Sequence, residues 1–295
     1  MRKLTAVLLS LCLLAGCCAA FAEEVPAPAL QKDLVILFTS DVHCGIGQNW
    51  GYAGLYAIKE SLSADHHVLL VDNGDALQGE PVGTMTTGGA VIDIMNAVGY
   101  DIAVPGNHDF DYGMDRFLEL TKEKAAFPYI SCNFNLEGTL VFRPWIMKEF
   151  DGVKIAFVGV TTPQTTSTST PRYFMNDQGE FIYGFMQDET GEALYGAVQN
   201  AVDDARAEGA AYVIVLGHLG NETEVVPWRS YDVIANTSGI DAWIDGHSHD
   251  KEQVTIRNKV GADVLRSACG DRLSAIGALT LARDGTISSD RKSVV

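Results

Sequence analysis

The stretch "DAWIDGHSHD" at residues 241–250 joins an apolar run to a turn that contains two histidines. An apolar run without polar alternation is typical of a strand that is buried on both faces, as in a parallel sheet. Side chains two positions apart on an extended segment point the same way, so His247 and His249 could reach one common point. An isolated pair of this kind is more often two polar turn residues than a site, so the other segments decide between the two interpretations.

Five other apolar runs resemble this one, and segments with helical apolar spacing lie between them. Such alternation of strands and helices predicts a layered α/β fold. After residue 250 the runs are shorter and one contains an Arg-Asp-Gly turn, which predicts an antiparallel edge or a second sheet. The predicted strands are 33–40, 67–72, 101–106, 153–160, 211–218 and 241–247, and the predicted helices are 51–64, 88–99, 113–125 and 191–209.

The N-terminus has the pattern of an export signal. Two basic residues precede an apolar run that is too short to span a bilayer, so residues 1–22 are predicted to be a signal peptide. Two processing sites remain open: cleavage before Glu23, and lipidation of Cys17 in the lipobox-like "LAGC" at 14–17. Either one places the mature protein outside the cytoplasmic membrane, in an extracellular, periplasmic or cell-surface location.

The rest of the chain is expected to form one large domain with a short segment on each side. Residues 23–32 are rich in Pro and Ala and predict a linker, residues 33–285 are the predicted domain, and residues 286–295 are a predicted tail. Residues 161–180 are rich in Thr, Ser and Pro. They predict a long surface loop, and a lid over the site is the alternative.

The composition restricts the partners. The formal net charge of −17 at pH 7 argues against non-specific binding to nucleic acid or to an anionic membrane. An acidic protein that handles phosphate needs a local positive charge, which metal ions can supply. The cysteines beyond the predicted signal are Cys44, Cys132 and Cys269. They are odd in number and far apart, and no CxxC is present, so neither a disulfide framework nor a thiolate zinc site is indicated.

Polar residues follow the apolar runs at one predicted edge of the sheet. We interpret His66 and His67 as surface residues at a helix end, but the other five histidines all lie in Gly- or Asp-containing turns after strand-like runs. Asp41, Asp75 and Asn107 lie in turns of the same kind. Open α/β sheets bind ligands at the carboxyl ends of their strands, and imidazoles with carboxylates are metal ligands. The sequence therefore predicts a metal site. Its histidines are His43, His108, His218, His247 and His249.

These motifs and their surroundings resemble the calcineurin-like metallophosphoesterases, and within them the bacterial 5′-nucleotidase, UDP-sugar hydrolase and cyclic-nucleotide phosphodiesterase family. The resemblance runs from about residue 33 to about residue 285. It includes "GDALQGEPVG", "NAVGYDIAVPGNHDFDYG" and "GVTTP", which separate this family from protein Ser/Thr phosphatases and purple acid phosphatases. The resemblance implies a β-sandwich flanked by helices, in αββα order, with residues 33–285 as the catalytic domain.

The resemblance also implies two divalent ions, which can be Zn, Mn, Mg, Fe or Co, and a role for each site residue. Two such ions can clamp a phosphate and activate a water. His108, oriented by Asp111, would stabilise or protonate the leaving oxygen. Asp109 stands where the family more often has Glu, a change that we expect to be tolerated. Asp41, His43 and His249 would hold the first ion, Asn107, His218 and His247 the second, and Asp75 would bridge both.

The implied function is hydrolysis of phosphate esters of extracellular nucleotides by a secreted two-metal enzyme. Family members usually carry a C-terminal domain that binds the base, and because this chain stops at Val295 we expect the catalytic domain alone. Two alternatives stay open. One is a broad phosphomonoesterase or cyclic-nucleotide phosphodiesterase without nucleoside preference. The other is a non-catalytic, metal-bound surface module, which would have no need of a His108–Asp111 pair. The sequence leaves the oligomeric state open.

Overall fold

Four of the six predicted strands form at close to full length in the computed structural model, which describes residues 29–293, and the run at 241–247 forms a strand only over Ala242–Asp245. The run at 101–106 contributes only two residues to a strand, because Pro105 has no N–H with which to continue the ladder. The strands are β1 (Leu34–Thr39), β2 (His67–Asp72), β3 (Ile102–Ala103), β4 (Asn135–Leu136), β5 (Thr139–Leu140), β6 (Trp145–Phe150), β7 (Val153–Thr161), β8 (Tyr183–Gly184), β9 (Tyr212–His218), β10 (Ala242–Asp245), β11 (Gln253–Arg257), β12 (Asp263–Ala268), β13 (Ala275–Leu281) and β14 (Ile287–Ser293).

All four predicted helices are present, and three short ones are added. The predicted helix 113–125 is α-helical only to Glu119 and continues as a π-turn over Leu120–Lys124. Single 3₁₀ turns lie at His108–Phe110, Pro171–Phe174 and Thr223–Val225. The α-helices are α1 (Gly51–Ser63), α2 (Pro81–Thr86), α3 (Gly89–Val98), α4 (Met114–Glu119), α5 (Thr165–Thr168), α6 (Glu192–Ala207) and α7 (Ser230–Asn236).

Two sheets carry the fold. The five-stranded sheet has the order β14-β13-β1-β2-β3, with β1, β2 and β3 parallel and β13 antiparallel to β1. The six-stranded sheet has the order β11-β12-β10-β9-β7-β6, and its four central strands are parallel. A small sheet of β5, β4 and β8 lies apart from both. The antiparallel strands predicted after residue 250 are confirmed, and they are divided between the two large sheets.

The folded sheet extends past the boundary that we predicted at residue 285. Residues 286–295 were expected to be a tail, but β14 pairs with β13 from Ile287, opposite Leu281, to Ser293, opposite Ala275. This strand has no apolar run because it lies at the edge of the sheet, where polar and charged side chains are tolerated and discourage further pairing. Hydrophobic patterning therefore gave no signal for it.

The layers pack in the order helices, sheet, sheet, helices. Phe38 and Phe157 belong to the apolar layer between the two sheets. Met95 of α3 covers the outer face of the five-stranded sheet, and Val202 of α6 covers the outer face of the six-stranded sheet. The predicted α/β sandwich of αββα type is thus confirmed. The three cysteines beyond the predicted signal are buried free thiols.

Some of our predictions concern residues that the structure does not describe. The predicted signal peptide at 1–22, including Cys17, and residues 23–28 of the predicted linker lie outside the described range. Within residues 29–293, no helix is both long enough and apolar enough to cross a membrane.

Candidate metal centre

The loops that follow the parallel strands of both sheets meet at one edge of the sandwich. Asn73, just after β2, joins the two sheets there, because its side-chain amide donates to the carbonyl oxygens of Gly217 (3.0 Å) and Ile244 (2.7 Å). These two carbonyls belong to β9 and β10 of the opposite sheet. All seven predicted metal ligands, and the predicted His108–Asp111 pair, lie on the loops or strand ends gathered at this edge.

One group of predicted ligands is built from the loops after β1 and β10. The Nε2 atoms of His43 and His249 lie 3.2 Å apart, and His249 Nε2 lies 3.5 Å from Asp41 Oδ1. Two imidazole nitrogens so close together are pointing at one common position. These three side chains form a group that could hold a metal ion.

A second group shares Asp41 with the first. His218 Nε2 lies 3.3 Å from Asp75 Oδ2 and 3.9 Å from Asp41 Oδ1, and these three side chains could also hold an ion. Asn107 Oδ1 lies 3.1 Å from the same imidazole nitrogen. Asp75 Oδ2 is also 4.0 Å from His43 Nε2 in the first group. The Asp75 carboxylate is therefore within reach of ligands from both groups.

His247 is placed less directly than the other predicted ligands. Its ring centre is 5.1 Å from that of His218, and its backbone N–H donates to Asp41 Oδ2 at 3.1 Å. Its Nε2 lies 2.9 Å from Gln164 Oε1. A hydrogen on Nε2 would complete this contact and would leave Nδ1 as the nitrogen that can bind a cation.

The hydrogen bonds behind the imidazoles suit them to metal binding. His218 Nδ1 donates to the carbonyl oxygen of Asn73 at 2.6 Å, and His43 Nδ1 donates to that of Gln78 at 3.2 Å. Each bond fixes the tautomer in which Nε2 presents a lone pair to the cluster. Neutral imidazoles, carboxylates and one amide oxygen form a mixed donor set that fits a borderline divalent ion.

The backbone at this edge is held in an uncommon conformation. Five of the seven predicted ligands have positive φ angles, between 47° and 81°, a region that non-glycine residues rarely adopt. Such conformations cost about 1–3 kcal/mol each and persist where the surrounding structure enforces them, typically at functional sites. The five residues are Asp41, His43, Asp75, His247 and His249.

Two glycines allow the ligand loops to approach each other. A Cβ on Gly74 would lie 2.5 Å from the backbone nitrogen of Gly106, and a Cβ on Gly106 would lie 2.2 Å from Asp75 Oδ1. Gly74 also has a φ of +90°. The close contact between the loops that carry Asp75 and Asn107 is therefore possible only without side chains at these positions.

Charge is concentrated in the buried part of the centre. Burial is the largest single effect on the pKa of His218 and would lower it, but the Asp75 and Asp41 carboxylates and the hydrogen bond to Asn73 together raise that pKa to about 10. Burial is also the largest single effect on Asp75 and opposes its ionisation, yet the neighbouring imidazoles, His218 foremost, together lower its pKa. Burial raises the pKa of Asp41 to about 7 and lowers that of His247 to about 3. Without metal, a proton on His218 thus balances part of the carboxylate charge.

The predicted catalytic pair lies beside this cluster. His108 Nδ1 is 2.8 Å from Asp111 Oδ2, and the backbone N–H of His108 donates to Asp75 Oδ1 at 2.7 Å. Ser169 Oγ donates to the other carboxylate oxygen of Asp111 at 2.7 Å. The hydrogen bond that His108 donates to Asp111 raises the pKa of His108. The pair is therefore oriented from both sides.

Asp109 braces the loops from beneath. Its carboxylate is buried and accepts hydrogen bonds from the backbone N–H groups of Asp75 (3.1 Å), Leu77 (3.0 Å) and Gly106 (2.8 Å). Burial raises the pKa of Asp109 to about 6. The residue links the loop after β2 to the loop after β3 and thus supports two of the predicted ligands.

An open cavity of about 440 Å³ lies over the cluster. Part of its wall comes from Gln164 and Thr168, in the segment 161–180 that we predicted to be a surface loop or a lid. Sequence reasoning did not connect these two residues, or Ser169, with the site, because a Thr/Ser-rich stretch carries no ligand spacing. The lining residues are Asp75, Asn107, His108, Gln164, Thr168, Glu222, His247, Ser248 and His249.

A sequence model described as "Calcineurin-like phosphoesterase" matches residues 34–251, well over half of the chain. The chain belongs to the calcineurin-like phosphoesterase family. This family uses two divalent metal ions, and the two overlapping ligand groups around Asp41 and Asp75 accord with that number. The predicted family is confirmed, and the predicted pair of divalent ions agrees with what this family uses.

Curated relatives of this calcineurin-like domain are nucleotide phosphoesterases. The trifunctional nucleotide phosphoesterase protein YfkN of Bacillus subtilis is 29% identical over 265 residues, which cover 77% of this chain and 17% of that protein. The 5′-nucleotidase of Vibrio cholerae is 33% identical over 171 residues, 54% of this chain and 31% of that protein. The chain spans less than half the length of each of these relatives.

Solved structures confirm the fold. The 5′-nucleotidase precursor of Thermus thermophilus superposes with a TM-score of 0.72 at 22% identity, over 89% of this chain and 54% of that one. The YfkN structure from Bacillus subtilis has a TM-score of 0.68 at 24% identity, over 90% of this chain and 92% of that one. At such identities the likeness concerns the fold alone.

Proposed function

We propose that this phosphoesterase removes phosphate from nucleotides, in the manner of a 5′-nucleotidase. The observation that carries the proposal is the placement of the His108–Asp111 pair directly beside two overlapping ligand groups that share Asp41. The nucleotide preference is supported by two relatives, the nucleotide phosphoesterase from Bacillus subtilis and the 5′-nucleotidase from Vibrio cholerae.

The residues are proposed to divide the work as follows. Each ion would take ligands from both sheets, and Asp75 could serve both ions, because its carboxylate lies within 4.0 Å of both His43 Nε2 and His218 Nε2. The proposed ligands of the first ion are Asp41, His43 and His249, and those of the second are Asn107, His218 and His247. When bound, two such ions clamp a phosphate and activate a water.

His108 and Asp111 are proposed to manage the proton on the leaving group. Asp111 holds Nδ1 at 2.8 Å, so Nε2 is the nitrogen that remains for the ester oxygen. Because its pKa is raised, His108 stays protonated up to a higher pH than an ordinary histidine does. The protonated ring can donate its proton to the departing alkoxide. General acid help of this kind contributes about 10²–10⁴-fold to a rate.

A second candidate is a broad phosphomonoesterase or cyclic-nucleotide phosphodiesterase without nucleoside preference. It is favoured by one observation: all the side chains that line the cavity over the cluster are polar or charged. Such a wall suits the phosphate, and none of its lining residues is a Phe, Tyr or Trp on which a base could stack. A binding module without turnover is disfavoured, because it would not need His108 to be oriented by both Asp111 and Asp75.

One assay separates these candidates. The purified protein is given AMP, UDP-glucose or a chromogenic phosphate ester, with Mn²⁺ or after chelation. Metal-dependent phosphate release from AMP, with a kcat/KM well above that for the chromogenic ester, supports a nucleotidase. Activity on the chromogenic ester alone supports the broad phosphomonoesterase. No turnover by protein that holds two ions supports the binding module.

We also propose that the protein is exported and acts at the cell surface or beyond it. The support is the basic, apolar N-terminus with its cleavage-like "AFA" and lipobox-like "LAGC" motifs. Expression of the full chain and of a Cys17→Ala variant in a bacterium, followed by fractionation, tests this. Retention of the wild type in the cytoplasm contradicts export, and equal membrane association of both proteins contradicts a lipid anchor at Cys17.

A further inference from the structure

A buried arginine lies behind the histidine loop. Arg266, on β12, is fully buried. Its Nε and Nη2 atoms donate to Asp245 Oδ2 at 2.9 and 2.8 Å, and Nη1 donates to Asp250 Oδ2 at 3.0 Å and to Glu252 Oε2 at 2.7 Å. The guanidinium thus contacts the carboxylates of three residues that precede Arg266 by 14 to 21 positions in the sequence.

The contacts of Arg266 bracket two of the proposed metal ligands. Asp245 is the last residue of β10, and Asp250 follows the sequence Gly-His-Ser-His, so both ends of the turn that carries His247 and His249 are anchored to the same side chain. Asp250 also accepts a hydrogen bond from Ser248 Oγ, at the middle of the turn, at 2.7 Å. The turn is therefore fixed at both ends and at its centre.

The same network reaches a third proposed ligand. The other oxygen of Asp245 accepts the backbone N–H groups of Leu219 at 3.1 Å and Gly220 at 3.4 Å, directly after His218. Arg266 Nε also donates to Ser230 Oγ at 2.8 Å, and Ser230 Oγ donates to the carbonyl oxygen of Gly220 at 3.0 Å. The loop after β9 is thus tied to the loop after β10 through Arg266 and its partners.

Stability alone does not account for this arrangement. A buried ion cluster is, on average, no more stabilising than apolar residues of the same volume. His247 and His249 have φ angles of 81° and 52°, so their turn would relax without external restraint. A guanidinium offers five donors in a rigid plane and can hold several carboxylates in fixed directions, which an apolar residue or a lysine cannot do.

We propose that Arg266 is a positioning residue for the metal centre: through Asp245 and Asp250 it holds His218, His247 and His249 in the geometry that binds the ions. This inference rests on the proposed assignment of those histidines as ligands. Partners behind the ligands of a metal site typically affect affinity by about 10–100-fold. We expect an effect of that size on metal binding, without a change in overall fold.

The test compares Arg266→Met with a matched variant at the other end of the same strands. Arg206 pairs with Asp241 at 2.6 Å, and Asp241 also accepts the N–H of Val213, so this pair joins the beginnings of β9 and β10. Arg206→Met therefore removes an Arg–Asp pair that joins α6 to the starts of β9 and β10, at the end of these strands away from the histidines. Metal-free protein of each kind is titrated with Co²⁺ and followed by visible absorption, and folding is followed by circular dichroism and Tm.

We expect Co²⁺ to bind Arg266→Met about 10–100-fold more weakly, with an altered visible spectrum, and to bind Arg206→Met as it binds the wild type. Arg266→Lys, which keeps the charge but not the planar fork, is expected to fall between Arg266→Met and the wild type. A folded Arg266→Met protein with wild-type affinity and spectrum overturns the proposal. So does an equal loss of affinity in Arg206→Met, because the effect would then be one of general stability.

If Arg266→Met does not fold, Asp250→Asn carries the test, since it weakens one anchor of the histidine turn and leaves the Arg266–Asp245 pair in place. Several-fold weaker Co²⁺ binding by this variant supports the proposal, and unchanged binding overturns it. The readout does not require turnover. Wild-type protein that binds two Co²⁺ ions but does not hydrolyse AMP refutes the proposed function and leaves the role of Arg266 intact.

Discussion

Two His–Asp pairs lie at opposite edges of this sandwich, and in each the nitrogen and oxygen are 2.8 Å apart. His108 pairs with Asp111 at the metal-centre edge, and His67 pairs with Asp151 at the opposite edge. His67 is the first residue of β2, whereas Asp151 lies in the turn between β6 and β7 of the other sheet. The second pair therefore joins the two sheets, and His67 is not the plain surface residue at a helix end that its sequence context suggested.

The surroundings of the pairs differ more than the pairs themselves. His108 donates its backbone N–H to Asp75 and lines the cavity together with four of the proposed ligands. His67 instead packs against Phe150, with ring centres 5.1 Å apart, and its partner Asp151 accepts the backbone N–H of Gln31. The same hydrogen bond between imidazole and carboxylate thus occurs in a structural pair and in the pair that we propose to be catalytic. The neighbouring groups decide which role it serves.

The largest effect is expected from the residue that we propose as the bridge. Asp75→Asn removes the charge that faces both ligand groups, so the rate of phosphate release should fall by about 10³-fold or more. At least one ion should also be lost, which mass spectrometry of the bound metals measures. Asp33→Asn is the control at the opposite edge, where Asp33 accepts the N–H of Arg283 at 3.0 Å. Wild-type turnover by Asp75→Asn, or equal losses in both variants, would refute the bridging role.

The two His–Asp pairs can be compared directly by mutation. His108→Ala should lower kcat by about 10²–10⁴-fold while two ions stay bound, since the general acid is removed but the ligands remain. His67→Ala should leave kcat unchanged and cost about 0–1 kcal/mol of unfolding free energy, because the pair is partly exposed. Loss of metal from His108→Ala would make His108 a ligand, and a large loss of kcat in His67→Ala would contradict the contrast between the edges.

A smaller effect is expected from added volume between the loops. Gly106→Ala would place Cβ 2.2 Å from Asp75 Oδ1, so the carboxylate must move and metal affinity should fall by about 10–100-fold. Gly47→Ala is the matched control, because a Cβ there meets no atom within 4 Å. Titration with Mn²⁺ measures the metal affinity of both variants. Equal affinities in Gly106→Ala and the wild type would show that the close approach of the loops does not matter.

The smallest effect is the release of a proton on metal binding. Without metal His218 has a pKa of about 10, so at a pH of about 8.5 its ring carries a proton that a metal-bound imidazole cannot keep. The pKa of His247 is about 3 and that of Asp41 is about 7, so neither group carries a proton that metal binding could release at that pH. Calorimetry of metal binding in two buffers of different ionisation enthalpy should detect about one proton released per chain. The affinity for the metal should fall as the pH is lowered. Binding without proton release would contradict the charge state of His218.

The sequence predicted much of the fold because buried strands have a strong apolar pattern. The runs that became β1, β2, β7, β9 and β10 are all of this kind, and the polar turns after four of them, β1, β2, β9 and β10, do meet at one edge of the sandwich, as the sequence predicted. β14 escaped detection because an edge strand can be polar. The run at 101–106 was overestimated because Pro105 ends the ladder early.

Other features of the site depend on contacts between distant segments. Arg266 lies 17 residues after His249 and in a strand that gives no motif, yet it contacts both sides of the histidine turn. Gln164 and Ser169 reach the site only because their loop folds over the cavity. Positive φ angles at Asp41 and Asp75 are set by tertiary packing, since neither residue type demands them. Spacing within one chain segment cannot reveal such features.

The most direct test of the two-metal centre is anomalous diffraction from crystals of the protein grown with Mn²⁺. We predict two anomalous peaks about 3.5–4 Å apart on either side of the Asp75 carboxylate, one within reach of His43 and the other within reach of His218. A single peak, or peaks that do not contact Asp75, would contradict the proposed centre.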